Sequence, residues 1–75
     1  MKIILINRDS EIVDIEGLKV MTSKEWIIGK DAKGEIVQIQ RYESEEEAKD
    51  RLVAIGNAIE YGLYEIKMEN VVIRL

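Results

Sequence analysis

The stretch SEEEAKDRLVAIGNAIEYG, residues 44–62, carries the clearest secondary-structure signal in the chain. Ser44 is a typical N-cap, and Glu47 three residues later completes a capping box. One apolar stripe then recurs at helical spacing, formed by Ala48, Leu52, Ile55 and Ile59. The pattern predicts a single α-helix from Glu45 to about Tyr61, with Gly62 as its left-handed C-cap.

Gly56 lies near the middle of this predicted helix. Glycine at such a position destabilises a helix by about 1 kcal/mol relative to alanine. We therefore expect another backbone to approach Gly56 closely. Packing of the helix onto a sheet and a helix–helix contact between subunits would both satisfy this expectation.

Short runs rich in β-branched residues precede the helix. Residues 2–7 and 11–15 predict two strands joined by a turn, and residues 18–22 alternate with the period of a third strand. After the helix, residues 64–68 alternate in the same way, and residues 71–75 predict either a further strand or a continuation. The sequence leaves open whether this last segment holds one strand or two.

Residues 25–42 predict a hairpin around the turn sequence DAKG, residues 31–34. Asp suits the first turn position, and Gly supplies the positive φ of a type I turn with a bulge. The register favoured by this turn pairs Asp31 with Glu35, Gly29 with Val37 and Ile27 with Ile39. A slip by one residue pairs Trp26 with Ile39 and Ile28 with Val37 instead.

These elements predict an α+β fold in one domain covering residues 1–75. The length of 75 residues is too small for two hydrophobic cores. We expect an antiparallel β-meander of about four to six strands packed against the single α-helix at about residues 45–61.

Several predicted strands carry large apolar residues on both faces, as in the run of residues 3–6. Strands that are buried on one side alternate apolar with polar residues, so such runs require a second covering layer. One helix covers only one face of a sheet. We therefore expect a homo-oligomer, in which another copy supplies the layer; a barrel-like closure of the sheet on itself is the alternative.

The composition argues against catalysis and against metal or cofactor binding. The chain has no His and no Cys, and no serine stands in a context typical of a nucleophile. The acidic cluster matches no EF-hand loop and is interpreted as a solvated helix start; it comprises Glu43, Glu45, Glu46, Glu47 and Asp50. We expect no enzyme activity, no metal site and no cofactor.

Charge and hydropathy favour a cytoplasmic protein. Absence of cysteine suits a reducing compartment, and the apolar run at residues 3–6 is far shorter than the about 20 residues of a membrane span. The net charge of −4 disfavours general nucleic-acid binding, although it leaves room for a local basic pocket.

Such a pocket is predicted from cations that stand beside aromatic residues. A guanidinium group with a stackable ring is how proteins hold a nucleotide, through bidentate phosphate contacts and base stacking. The candidate ligand-binding residues are Arg8, Lys24, Trp26, Arg41 and Tyr42. Each of them singly also fits a rim salt bridge or a partly buried ring, so the hypothesis depends on their convergence.

The segment QRYESEEEAK, residues 40–49, followed by Leu52 and Ile55, resembles small uncharacterised proteins encoded by phages and prophages of Gram-positive bacteria. In those proteins a β-meander ends in a Tyr-x-Ser-x-Glu-Glu-Ala junction between strand and helix. The resemblance implies an accessory or anti-defence role, either as an oligomeric sponge for nucleotide signals or as an inhibitor of a host enzyme. It carries over no functional residue, because a likeness of fold does not transfer a site.

Two functional hypotheses follow. The first is a non-enzymatic, homo-oligomeric binding protein that sequesters a small phosphorylated ligand, as an anti-defence sponge would, at a subunit interface lined by some of the five candidate residues. The alternative is a protein–protein inhibitor or adaptor that engages a host protein through its acidic helix face or an exposed strand edge.

Overall fold

The computed structural model describes residues 2–75, which form strands, one α-helix and one π-helical turn. The elements in chain order are β1 (Lys2–Ile6), β2 (Ile12–Asp14), β3 (Lys19–Ser23), β4 (Trp26–Lys30), β5 (Ile36–Arg41), α1 (Glu45–Glu60), the π-helical turn (Tyr61–Glu65) and β6 (Asn70–Arg74). The predicted α+β class, the number of strands and the single α-helix are confirmed.

The strands are divided between two three-stranded sheets and do not form one meander. Sheet A has the order β2-β1-β6, and sheet B has the order β3-β4-β5. All pairings are antiparallel except that of β1 with β6, which is parallel. The parallel pair arises because α1 crosses over between β5 and β6 and returns the chain beside its first strand, as parallel pairing requires.

The β4–β5 hairpin follows the predicted register near its turn and departs from it farther along. The Asp31 amide donates to the Glu35 carbonyl at 3.0 Å, and Gly29 pairs with Val37. A bulge between Ile27 and Ile28 then shifts the pairing, so that Ile27 lies opposite Gln40. The predicted pairing of Ile27 with Ile39 is wrong because Ile39 is the extra residue of the bulge.

Both sheets and the helix contribute to one core. Its buried side chains come from β1, β4, β5, the junction before α1, and α1 itself: Leu5, Ile27, Ile39, Tyr42, Ala48 and Ile55. The second layer that the apolar strands require is therefore supplied, on their inner faces, by α1 and by the other sheet of the same chain. The inner faces therefore need no second copy, and the expected homo-oligomer stays a prediction that concerns the outer faces.

The outer face of sheet A remains uncovered. Because side chains alternate along a strand, the even-numbered residues of β1 point away from the core. Ile4 and Ile6 are half-buried there, whereas Ile12 of β2 and Val72 of β6 are 72% and 59% exposed. Apolar side chains therefore lie on both faces of sheet A. We call the four residues of its outer face, Ile4, Ile6, Ile12 and Val72, the outer patch.

The helix begins as predicted and ends differently. The Ser44 hydroxyl accepts the Glu47 amide at 3.1 Å, which confirms the N-cap. The chain then continues into the π-helical turn, and the positive-φ residue that ends it is Lys67 at φ 60°. The Met68 amide closes this end by donating to the Gly62 carbonyl at 2.9 Å. The predicted C-cap at Gly62 and the predicted strand at residues 64–68 are therefore wrong.

Gly62 is needed for close packing rather than for its conformation. A Cβ atom at Gly62 would come within 2.9 Å of Val71 Cγ2, so glycine lets the turn lie directly against β6. Gly56 shows the opposite situation, because a Cβ there would meet nothing within 4 Å. Packing of Gly56 onto the sheet is thus excluded.

Candidate functional site

The turn after β1 is organised by the side chain of Asn7, which is 6% exposed. Its Oδ1 accepts the amides of Asp9 and Glu11 at 3.1 and 2.8 Å, as in an Asx turn. Its Nδ2 donates to Glu11 Oε1 at 2.9 Å and across the core to the Ile39 carbonyl at 3.0 Å. A buried amide with all these partners holds the turn in one position against β5.

Arg8 follows Asn7 and is fixed at its backbone and at its side chain. Its amide donates to Gln40 Oε1 at 2.8 Å. Its guanidinium lies over the Tyr42 ring, with 5.0 Å between Arg8 Cζ and the ring centroid. This distance lies within the range of a cation–π interaction. Arg8 remains exposed to solvent, so its guanidinium is still able to bind an anion.

Arg41 and Trp26 are directly opposite each other on β5 and β4. Arg41 lines two adjoining cavities. The first has a volume of about 370 Å³ and is lined by Arg8, Arg41, Tyr42 and Glu43. The second has a volume of about 380 Å³ and is lined by Arg41, Trp26 and side chains of the Asn7 turn and β5. We call the two cavities together the arginine site.

Three of the five candidate residues therefore line one cavity, namely Arg8, Arg41 and Tyr42, and Trp26 lines the adjoining cavity, which shares Arg41. Lys24 lies apart from them. It occupies the turn between β3 and β4 with φ 54°, is exposed and lines neither cavity.

The hydroxyl of Tyr42 has no hydrogen-bond partner in the described part of the chain, although Tyr42 is only 4% exposed. Burial raises the pKa of this phenol above its ordinary value of 10.0, and the positive charges of Arg51 and Arg8 oppose part of the rise. An unpaired buried hydroxyl costs about 1–3 kcal/mol. The hydroxyl is thus enclosed by the protein, near the positive charge of Arg51.

Carboxylates accompany the cations. Glu43 lines the first cavity, and Asp9 and Glu11 line the second. Two guanidinium groups outnumber the single carboxylate in the first cavity, which is therefore the better anion site of the two. In the second cavity the carboxylates favour a ligand portion that donates hydrogen bonds.

Asn7 and Gln40, which position Arg8, were not among the residues predicted for the site. An Asx turn at Asn7 has a recognisable pattern, because Asn precedes the turn residues Asp9 and Ser10. Gln40 had no such signal, since the bulge at Ile39 decides which way its side chain points.

The acidic helix start is explained by helix capping. Besides the Ser44 cap, Glu45 makes an i,i+4 ion pair with Lys49 at 3.3 Å. Within residues 2–75, no three His, Cys, Asp or Glu side chains form a group that could hold a metal ion. No helix in the same range has the length and apolar character needed to cross a bilayer.

Comparison of the chain with protein-family models, with curated proteins and with solved structures found no match.

Proposed function

We propose that this chain is a non-enzymatic binding protein that holds a small phosphorylated ligand with a planar ring in the arginine site. The observation that supports the proposal most directly is the convergence of Arg8 and Arg41 on one cavity beside Tyr42. Two guanidinium groups present paired donors of the geometry that a phosphate accepts.

The surroundings of the two arginines suit the rest of such a ligand. Trp26 is half-buried beside Arg41 and supplies a ring on which a base can stack. Glu43 and Glu11 supply acceptors for the hydroxyl or amino groups of a nucleoside. The absence of His and Cys from the sequence agrees with binding without chemistry.

The proposal includes assembly with a second copy through the outer patch. Ile4, Ile6, Ile12 and Val72 form its apolar centre, and Lys2, Asp14 and Arg74 on the same face supply charges of both signs at its rim. A face that carries both signs is able to match its own copy across a twofold axis, where the same surface is used twice. A cytoplasmic sponge that sequesters a nucleotide signal is the biological role that this combination serves.

A thermal-shift panel tests the binding proposal. The purified protein is melted with cyclic mononucleotides, cyclic dinucleotides, nucleoside diphosphates and inorganic phosphate, each in excess. A ligand at a hundred times its Kd adds about 2.7 kcal/mol of stability. A rise in melting temperature with one class of nucleotide is the expected result, and no rise with any member of the panel would refute the proposal.

A further inference from the structure

A groove runs between the free edges of the two sheets, where β2 of sheet A faces β5 of sheet B. Its volume is about 480 Å³, and its lining includes Ile12, Val13 and Asp14 from β2 and Val37 and Gln38 from β5. β2 and β5 are edge strands of their sheets. The groove therefore has strand edges on both sides.

The backbone of β2 leaves hydrogen-bonding groups free on this side. The Asn7 amide donates to the Glu11 carbonyl and the Ile15 amide to the Ile3 carbonyl, so the odd-numbered residues of β2 face β1. In an antiparallel pair the alternate residues point their amide and carbonyl groups the other way. Ile12 and Asp14 thus direct these groups away from β1, and no other backbone bond within residues 2–75 reaches them.

The backbone of β5 also leaves hydrogen-bonding groups free, on the side away from β4. The Asp31 amide donates to the Glu35 carbonyl, and Gly29 pairs with Val37 two residues farther on. The amide and carbonyl groups of Ile36 and Gln38 therefore point away from β4. Ile36 and Val37 are 59% and 43% exposed. Proteins usually protect an edge strand with charged residues or a covering element, so two successive exposed apolar residues on the edge strand β5 are unusual.

The two sheets are joined at one end of the groove. Asn7 reaches the Ile39 carbonyl, and the Arg8 amide reaches the Gln40 side chain, so the far half of β5 is covered. No corresponding link joins β2 to Ile36 or Gln38 among the described residues. The gap is thus closed at the Asn7 turn and open toward the β4–β5 hairpin.

The lining of the groove indicates the chemistry of its occupant. Glu11, Asp14 and Glu16 contribute carboxylates, and no lysine or arginine is among the lining residues. Lys2 offsets one of these charges in part, since its Nζ lies 4.0 Å from Asp14 Oδ2. Apolar side chains of the lining are Ile12, Val13, Leu18 and Val37.

We propose that this groove binds an extended segment of another protein, which adds a strand between β2 and β5. The free backbone groups on both sides supply main-chain hydrogen bonds, as in other cases of β-strand addition. The occupant alternates apolar residues, which face Val13 and Val37, with lysine or arginine residues, which face Asp14 and Glu16. This groove adjoins the arginine site and shares Asn7, Glu11 and Gln38 with its second cavity, but neither arginine lines it.

A synthetic peptide with alternating lysine and valine residues, blocked at both termini, tests the proposal on the intact chain. Amide hydrogen exchange is followed by NMR with and without the peptide. We expect the amides of Ile12, Asp14, Ile36 and Gln38 to exchange at least about tenfold more slowly when it is bound, because they acquire hydrogen bonds.

A modified peptide and a matched pair of protein variants separate this binding from general charge attraction. A peptide of the same sequence with N-methylated valines keeps the charge but loses main-chain donors, so it should bind weakly. Glu16→Lys should weaken binding of the unmodified peptide about five- to tenfold by reversing a charge at the groove. Glu46→Lys, on the exposed first turn of α1, should leave it unchanged.

The outcomes that overturn the proposal are distinct. Absence of peptide binding at millimolar concentration would remove it, as would protection confined to other amides. If the protein elutes as a dimer without peptide and the four amides are already protected, the occupant of the groove is a second copy of the chain. That result would refute binding of a strand from another protein. Peptide binding that survives in Arg8→Ala would show that the groove operates independently of the arginine site, and its loss there would contradict the separation.

Discussion

The guanidinium of Arg8 lies over the ring of Tyr42, 5.0 Å from Arg8 Cζ to the ring centroid, and joins the β1–β2 turn to the residue before α1. Arg8 is exposed while Tyr42 is 4% exposed, so the pair presents a positive charge on a rigid ring. A cation held in this way loses little conformational entropy when it binds an anion.

Arg8→Ala should remove most of the nucleotide-dependent rise in melting temperature. A hydrogen bond to a charged group contributes about 1.5–3 kcal/mol, so the affinity should fall more than tenfold. Lys33→Ala removes the same charge from the exposed hairpin turn and should leave the rise intact. Equal losses in the two variants would indicate a general charge effect and would contradict a site at Arg8.

Tyr42→Phe should stabilise the ligand-free protein by about 1 kcal/mol, since it deletes a buried hydroxyl that has no partner. Chemical denaturation measures this change. Destabilisation of the ligand-free protein would mean that Arg51 or a water molecule satisfies the hydroxyl in solution.

The stability of the protein should fall as the pH rises above about 10. Burial raises the folded-state pKa of Tyr42 above its ordinary value of 10.0, so the folded protein holds this proton more tightly than the unfolded chain. The resulting stability is fully present below pH 10 and is lost as the pH rises through the folded-state pKa. Denaturation at several alkaline pH values checks this, and Tyr42→Phe should show a smaller decline.

Val72→Lys should dissociate the proposed oligomer. Val72 is 59% exposed on the outer patch, where a lysine would place two like charges across a twofold contact. Light scattering should show a multiple of 8.7 kDa for the natural sequence and the monomer mass for the variant. Val53→Lys makes the same change at a 63% exposed site on α1 and should keep the oligomer. A monomeric natural protein would refute assembly.

The helix start and the hairpin turn could be predicted because they depend on local chemistry. The Ser44 cap needs only a hydroxyl near the amide of Glu47, and the DAKG turn needs only Asp31 and a glycine with positive φ. Such contacts lie within a few residues of each other, so the sequence contains both partners.

The division into two sheets could not be predicted in this way. It depends on the pairing of β1 with β6, which joins residues almost a whole chain apart, such as Ile3 and Val71. The arginine site also depends on a long-range contact, that of Arg8 with Gln40 at a separation of 32 residues, which the bulge at Ile39 makes possible. The types of residue at the site were predictable from charge and aromaticity, whereas their convergence was not.

Gly56 and Gly62 should respond oppositely to alanine. Gly56→Ala should raise the free energy of unfolding by about 1 kcal/mol, because alanine favours the helix and its Cβ would meet nothing within 4 Å. Gly62→Ala should lower it by about 1–3 kcal/mol, because the new Cβ would lie 2.9 Å from Val71 Cγ2. Urea denaturation of the two variants beside the natural protein provides the measurement.

The two variants, Gly56→Ala and Gly62→Ala, control for each other, because the same substitution is made at two positions of one continuous helical segment. Helix propensity alone would stabilise both variants, so only the contact with Val71 separates them. Stabilisation by Gly62→Ala would show that the π-helical turn does not lie against β6. Destabilisation by Gly56→Ala would show that a backbone approaches this helix face in solution. If light scattering also showed that this variant is a monomer, the approaching backbone would be the helix of another subunit.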